Sequence, residues 1–255
     1  KVEKILGSGV LQKDDLIIDI GSNDATTLKA YPVGHYQLVG IDPTGIKFKS
    51  YYPDHIKLVP EFFTADTVEK AQLGKKAKVI TSFSMFYDLE DPIGFAKEIE
   101  GALDDKGVWI FEQSYLPAMI KTNSFDTICH EHLDFYSLKQ IDFITKAAGL
   151  RVIDVEFNDI NGGSFSVTAA KIDSHFSGNN DVLDAIRRDE MSLGLDDGSA
   201  YHSFKEAVEL ERGKFMEFLH MAKENGEVVC GLGASTKGNV LLQYYGITEE
   251  LIKEI

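Results

Sequence analysis

Residues 125–137, FDTICHEHLDFYS, set His130, Glu131 and His132 in a row between aromatic residues. Two imidazoles and a carboxylate in one short segment suit three kinds of chemistry: binding a metal, moving a proton near neutral pH, or holding a loop by hydrogen bonds. A metal centre asks for further Cys, His or carboxylate ligands. His35, His55, His175, His202 and His220 stand singly along the chain, so no metal is expected. The choice between proton transfer and a structural role depends on what else the chain brings to this segment.

Two glycine turns offer partners. Gly21 follows the apolar run LIIDI, and Asp42 closes the next such run, YQLVGI. In doubly wound folds the first turn lets a ligand approach the backbone, and an acid ending the second strand accepts hydrogen bonds from ribose hydroxyls. An adenosine-containing ligand is the simplest occupant. The turn GSND lacks the second and third glycines that bring a pyrophosphate against a helix N-terminus, which disfavours a dinucleotide and a nicotinamide oxidoreductase. S-adenosylmethionine needs only a close backbone and polar side chains, with S-adenosylhomocysteine as its product. The expected cofactor contacts are Gly21, Ser22, Asn23, Asp42, Pro43, Phe62, Ser84 and Met85, with Phe62 or Met85 packing on the adenine. The second turn, GLGASTKGN at residues 231–239, combines glycines, hydroxyls and a lysine before an apparent helix, an arrangement suited to an anion. It lacks the full GxxxxGK[ST] spacing, so nucleoside triphosphate hydrolysis is not expected. Ser235, Thr236, Lys237 and Asn239 are the candidate anion contacts.

The elements that must position these groups follow from hydrophobic patterning. LIIDI, YQLVGI, IKLV, AKVITSF and GVWIFEQSY are short apolar strands separated by amphipathic stretches, the pattern of a parallel sheet with helices on both faces. In DPIGFAKEIEGAL, Ile93, Ala96, Ile99 and Leu103 recur at helical spacing. Ser137 and Gly149 bracket a further helix as N-cap and stop signal. RVIDVEFND and GGSFSVTAAK then form an antiparallel hairpin through Asn161-Gly162-Gly163. Residues 179–225 are polar and helical, with Phe204, Val208, Phe215, Leu219 and Ala222 on one stripe. EVVC restarts a strand before the second glycine turn, and EELIKEI reads as a helix. The expected architecture is α/β: a doubly wound domain over 1–175, a helical connector over 176–225 and the start of a second α/β domain over 226–255.

The chain has 255 residues and a formal net charge of -15. That surface is a poor match for a phosphate backbone, so nucleic acid is not expected as a partner. Two cysteines, Cys129 and Cys230, show no disulfide or CxxC spacing. With no long apolar run and no signal-peptide pattern, a cytoplasmic location is expected and no membrane partner. The sequence starts at Lys1 rather than a methionine, as a segment of a longer protein would. Its oligomeric state is open.

Taken together, DIGSND, GIDP, FFTADT, SMFYDLEDP, FEQSY, FDTICHEHLDFYS, NGGSF and GASTKGN resemble, in order and over about residues 16 to 246, the S-adenosylmethionine-dependent sugar C-methyltransferases that act on nucleotide-linked keto-deoxysugars. The resemblance implies a class I, Rossmann-like methyltransferase fold and a nucleotide-sugar substrate. It implies that His132 is the base that takes a proton from the carbon beside the ketone, that Glu131 orients His132 or a sugar hydroxyl, and that His130 pairs with the substrate or the enolate oxygen. Tyr115, Ser114 and Tyr136 are candidates for the same oxygen or for sugar hydroxyls, with Asn161 a further substrate contact. The diphosphate would then meet Lys237. The sequence departs from the family at Ala25, where glycine is usual, and at Cys129, where some relatives carry tyrosine. The family's cysteine-rich zinc-binding domain is not in this sequence, and its C-terminal domain is longer than the piece after Glu227. Methylation of oxygen or nitrogen on the same scaffold, and a non-catalytic cofactor-binding module, are the competing readings.

Overall fold

The computed structural model describes residues 1–71, 74–233 and 235–254, and the side chain of Asn161 lies outside the described part. Seven strands form one sheet: β1 (Leu16–Ile20), β2 (Gln37–Ile41), β3 (Ile56–Val59), β4 (Ala77–Phe83), β5 (Leu103–Ser114), β6 (Leu150–Asn158) and β7 (Ser164–Lys171). Their order is β3-β2-β1-β4-β5-β7-β6. β1 to β5 run parallel, while β7 pairs antiparallel with both β5 and β6. The hairpin expected from Asn161-Gly162-Gly163 thus closes the sheet by slotting its second strand against β5. Its turn is tight: Gly163 has φ 121°, and a Cβ there would lie 2.4 Å from that of Ala118.

Nine helices accompany the sheet among the described residues: α1 (Val2–Gly7), α2 (Thr26–Lys29), α3 (Ala65–Lys70), α4 (Pro92–Ala102), α5 (Leu116–Thr122), α6 (Leu138–Ala147), α7 (Asn180–Ser192), α8 (Ser199–Glu224) and α9 (Thr236–Tyr245). Every residue of β1 is buried, as expected for a central strand covered on both faces. One face packs Leu16, Ile18, Ile80, Trp109 and Phe111 against Ala96 and Ile99 of α4 and Ile141 of α6. The other packs Ile17, Leu38, Val79 and Val108 against Ile5 of α1 and Leu28 of α2. Local signals set the helix ends. Asp91 caps α4 by accepting from Gly94 N at 2.8 Å, with Pro92 in the first turn. Ser137 and Gln140 close a capping box at the start of α6, and Gly149, at φ 78°, carries the chain out after it.

A third, smaller core matters most for the site. Phe125 from the His130–His132 segment packs with Val208 of α8 and Tyr245 of α9. The expected apolar stripe of α8 is formed by Val208, Leu219 and Ala222, all buried, while Phe215 stays 40% exposed beside Tyr245. Two expectations for the C-terminal part are corrected. EVVC joins none of the seven strands, and residues 249–254 form a turn rather than a helix. Instead the last described residues run alongside that segment, with Lys253 N donating to Val229 O at 3.1 Å and Gly231 N to Glu254 O at 2.7 Å. Gly246, at φ 70°, ends α9 and turns the chain back toward that pairing.

Candidate functional site

The turn after β1 and the end of β2 are tied together by backbone geometry. Gly21, at φ 67°, donates its N–H to Ile41 O at 2.9 Å. Asp42 is buried, and its Oδ1 accepts from Thr44 N at 2.7 Å and Thr44 Oγ1 at 2.8 Å, while its Oδ2 accepts from Asn23 N at 2.9 Å. The carboxylate therefore shapes the turn itself, and Oδ2 keeps acceptor capacity for one more hydroxyl. Ala25, where the sugar C-methyltransferases usually have glycine, sits at φ 63° and is fully buried, so this chain tolerates a side chain in a left-handed position.

The other expected cofactor contacts gather along the same carboxyl edge of the sheet. Gly21, Asn23, Pro43 and Ser84 are exposed. Phe62 is 78% exposed beside a buried Phe63, so its ring is presented to the edge rather than packed in the core. Met85 reaches across to the first turn, its Cγ 3.8 Å from where a Gly21 Cβ would be. Ser84, at φ 54°, donates its N–H to Glu112 O at 2.8 Å. Ser22 is a correction. Its side chain turns inward, with Oγ 2.7 Å from the Tyr52 hydroxyl, and packs over Gly40.

Beneath this cradle lies a group that was not singled out from the sequence. Asp19 is 4% exposed in β1 and accepts a hydrogen bond of 2.5 Å from Thr81 Oγ1. Burial pushes its carboxyl up to about 7, against the hydrogen bonds from Thr81 and Thr27, with the Asp42 charge adding to the rise. The signal was present as an acid inside the otherwise apolar run LIIDI.

The His130–His132 segment docks on the turn after β4. Leu133 N and Asp134 N both donate to Tyr87 O, at 3.0 and 3.2 Å. The His132 ring packs on the Tyr87 ring with centroids 4.4 Å apart, and the Tyr87 hydroxyl donates to Ser84 O at 3.1 Å. His132 is thus joined through a single residue to the edge that carries Ser84 and Met85. Asp88 belongs to the same group: burial raises its carboxyl above the usual range, with His132 opposing the rise and the Glu131 charge adding to it. Glu131 is exposed and makes no hydrogen bond among the described residues.

The neighbouring histidine faces elsewhere. His130, with Ile128 and Cys129, lines a cleft of about 610 Å³ whose opposite wall is Thr236, Asn239, Val240, Gln243 and Tyr244 of α9. The start of α9, with Thr236 and Asn239 of the expected anion contacts, is therefore brought to the histidine segment, while Ser235 and Lys237 are not on the cleft wall. Ser235 caps α9 by accepting from Gly238 N at 3.3 Å, which leaves its proton free to donate. Lys237 forms no ion pair among the described residues.

Three expected substrate groups are not on this cleft. The Tyr115 hydroxyl is buried and donates to Glu190 Oε1 at 2.8 Å; desolvation first, then the Glu190 charge, holds its proton firmly. The Tyr136 ring packs on Phe86 with its hydroxyl donating to Asp134 Oδ2 at 3.0 Å. Ser114 is half-buried at the end of β5, opposite Ser164. Both tyrosines are phenols at the rim of an aromatic core, and their partners satisfy them there. Asn161's side chain lies outside the described residues. Among the described residues no cluster of three His, Cys, Asp or Glu is placed to hold a metal ion, and no helix is long and apolar enough to cross a membrane.

Comparison with known proteins addresses the family and the fold. Residues 2–155 match a family model described as a methyltransferase domain, and residues 159–255 match one described as a C-methyltransferase C-terminal domain. The chain is 29% identical over 247 residues to C-methyltransferase NovU of Streptomyces niveus, covering 95% of this chain and 58% of that protein. The chain thus spans somewhat over half the length of this curated relative. Among solved structures, the putative methyltransferase complexed with the Trm112 activator of Haloferax volcanii superposes with a TM-score of 0.54 at 14% identity, covering 69% of this chain and 90% of the other. LepI in complex with SAM superposes with a TM-score of 0.52 at 17% identity, covering 67% of this chain and 46% of that one. These two likenesses concern the fold: a Rossmann-like α/β sheet of the class I methyltransferase type. On the match over residues 2–155, the chain belongs to the methyltransferase-domain family, and the C-methyltransferase C-terminal match begins within the same sheet, ahead of β7.

Proposed function

We propose that the chain is an S-adenosylmethionine-dependent C-methyltransferase that deprotonates a carbon beside the ketone of a nucleotide-linked keto-deoxysugar and methylates it. The observation that supports this reading is the packing of the His132 ring on Tyr87, the residue whose hydroxyl donates to Ser84 O. The residues present fit the cofactor. Gly21 leaves the turn open, Asp42 Oδ2 has acceptor capacity for a ribose hydroxyl, and Phe62 and Met85 offer apolar surface for an adenine.

Held by Gly21, Asn23, Asp42, Phe62 and Met85, S-adenosylmethionine would supply an electrophilic methyl group to the carbon nucleophile, with S-adenosylhomocysteine as the product. The chain's own part is to hold the sugar and move a proton. His132 takes the proton from the carbon next to the ketone, and the electron pair moves into the enolate. His130, facing the cleft, is placed to donate to the sugar or to the enolate oxygen. Thr236, Asn239 and Lys237 hold the diphosphate end at the start of α9. Holding donor and acceptor together supplies much of the acceleration. The similarity to a named C-methyltransferase favours carbon over oxygen or nitrogen as the acceptor.

The first test is thermal unfolding with S-adenosylhomocysteine and, in parallel, NADH. At about a hundredfold excess over the dissociation constant, binding adds about 2.7 kcal/mol, or roughly 5 to 10 °C for a chain of this size. A shift with the homocysteine compound alone is expected, and a shift with NADH alone overturns the reading. Next, His132→Asn is expected to abolish methyl transfer to keto sugars while S-adenosylhomocysteine binds as before; normal turnover in that variant removes His132 from the mechanism.

A further inference from the structure

Glu190 is a buried carboxylate that the reaction does not use. It lies in α7, is 5% exposed, and forms no ion pair among the described residues. Its compensation is entirely by hydrogen bonds: Oε1 accepts from the Tyr115 hydroxyl at 2.8 Å and from Leu138 N at 2.6 Å, and Oε2 accepts from Lys139 N at 3.2 Å. A carboxylate at the first turn of α6 is favoured by the free N–H groups and the helix dipole. Yet Ser137 and Gln140 already form a capping box there, so the tie from α6 to Tyr115 is what Glu190 adds.

That tie joins the two feet of the histidine segment. Tyr115 precedes α5, where the chain leaves the sheet, and Tyr136 to Leu138 bring it back into α6. The feet already touch: Tyr115 and Tyr136 form an isolated parallel bridge, and Leu116 N donates to Tyr136 O at 2.9 Å. One carboxylate closes the excursion from outside and brackets the stretch that carries His130 and His132. We propose that Glu190 is the positioning residue of the His130–His132 segment, a group on α7 that fixes both ends of the segment and so fixes where His132 sits against Tyr87. For catalysis this rests on the reading of His132 as the base. It also makes a helix from the region matched by the C-terminal family model hold a loop of the methyltransferase fold.

The test uses the whole chain and two mild variants. Glu190→Gln keeps the volume and one acceptor oxygen, and sets an amide N–H against the Lys139 N–H. Tyr115→Phe removes only the hydroxyl. Hydrogen exchange followed by mass spectrometry on the ligand-free chain is expected to speed up about tenfold or more within residues 123–136 in both variants, with β1 to β4 unchanged. Turnover on a panel of nucleoside diphosphate-linked keto-deoxyhexoses is expected to fall about tenfold in Glu190→Gln, with the Michaelis constant and S-adenosylhomocysteine affinity within about twofold. The double variant is expected to be little worse than Glu190→Gln alone, since both remove one linkage. Unchanged exchange in residues 123–136, or a uniform rise across the sheet, overturns the proposal. So does loss of turnover in Tyr115→Phe with normal turnover in Glu190→Gln, which would put Tyr115 on the substrate. If the wild-type chain methylates no sugar of the panel, the functional reading fails, and the exchange experiment still decides the role of Glu190.

Discussion

Replacing Asp19 by Asn is expected to stabilise the chain at neutral pH and to do little at pH 4. Asp19 is buried in β1 with its carboxyl pushed up to about 7 from an ordinary 3.8. Between those values the unfolded chain has released the proton while the folded chain still holds it. The folded state therefore binds more protons, and stability falls as pH rises from about 4 to about 7. At 1.36 kcal/mol per pH unit the full effect is about 4 kcal/mol, an upper figure because local rearrangement around a buried charge reduces it. Asparagine keeps the size and the acceptor for Thr81 Oγ1 and has no proton to lose. The gap between variant and wild type should therefore open across this window, reaching roughly 8 to 16 °C in midpoint temperature if the whole effect is realised. Thermal or urea unfolding of both chains at pH 4.5, 5.5, 6.5 and 7.5 measures it. Two stability curves that stay parallel from pH 4.5 to 7.5 would refute the reasoning, because they would mean that Asp19 ionises in the folded chain as it does in the unfolded one.

Two further substitutions probe other parts of the site. Lys237→Glu places a negative charge at the start of α9, where a diphosphate is proposed, and is expected to raise the Michaelis constant for the nucleotide sugar about tenfold or more while changing turnover little; a fall in turnover at constant Michaelis constant would make Lys237 catalytic instead. Gly163→Ala combines φ 121° with a Cβ 2.4 Å from that of Ala118, so it should cost about 1–3 kcal/mol in urea unfolding, and a midpoint equal to wild type would show that α5 can move away from the hairpin.

The sheet was legible because burial on both faces leaves runs such as LIIDI and AKVITSF with few competing conformations, and because each turn carries its own chemistry, as Gly21 and the hairpin glycines do. That Gly21, Asp42, Phe62 and Ser84 would share one edge was legible for the same reason: the carboxyl ends of parallel strands fall together whatever the intervening helices do. Side-chain direction was less accessible. Ser22 lies inside an expected contact run, but its hydroxyl turns inward because Gly40, on the neighbouring strand, leaves room for it and Tyr52 supplies a partner. Tyr115 looks locally like an available phenol, and the group that satisfies it is 75 residues away in α7. EELIKEI has the composition of a helix, yet Leu251 and Ile252 close only a single turn on Thr248, and Lys253 and Glu254 find backbone partners at Val229 and Gly231 instead. The histidine pair shows the limit most directly. His130 and His132 are two residues apart, and nothing local says that one ring meets the turn after β4 while the other faces α9. That division is made by long-range contacts: Tyr87 holding residues 132–134 on one side, and Phe125 packed between α8 and α9 on the other. In the proposed reaction this division lets one imidazole take the proton while its neighbour meets the sugar.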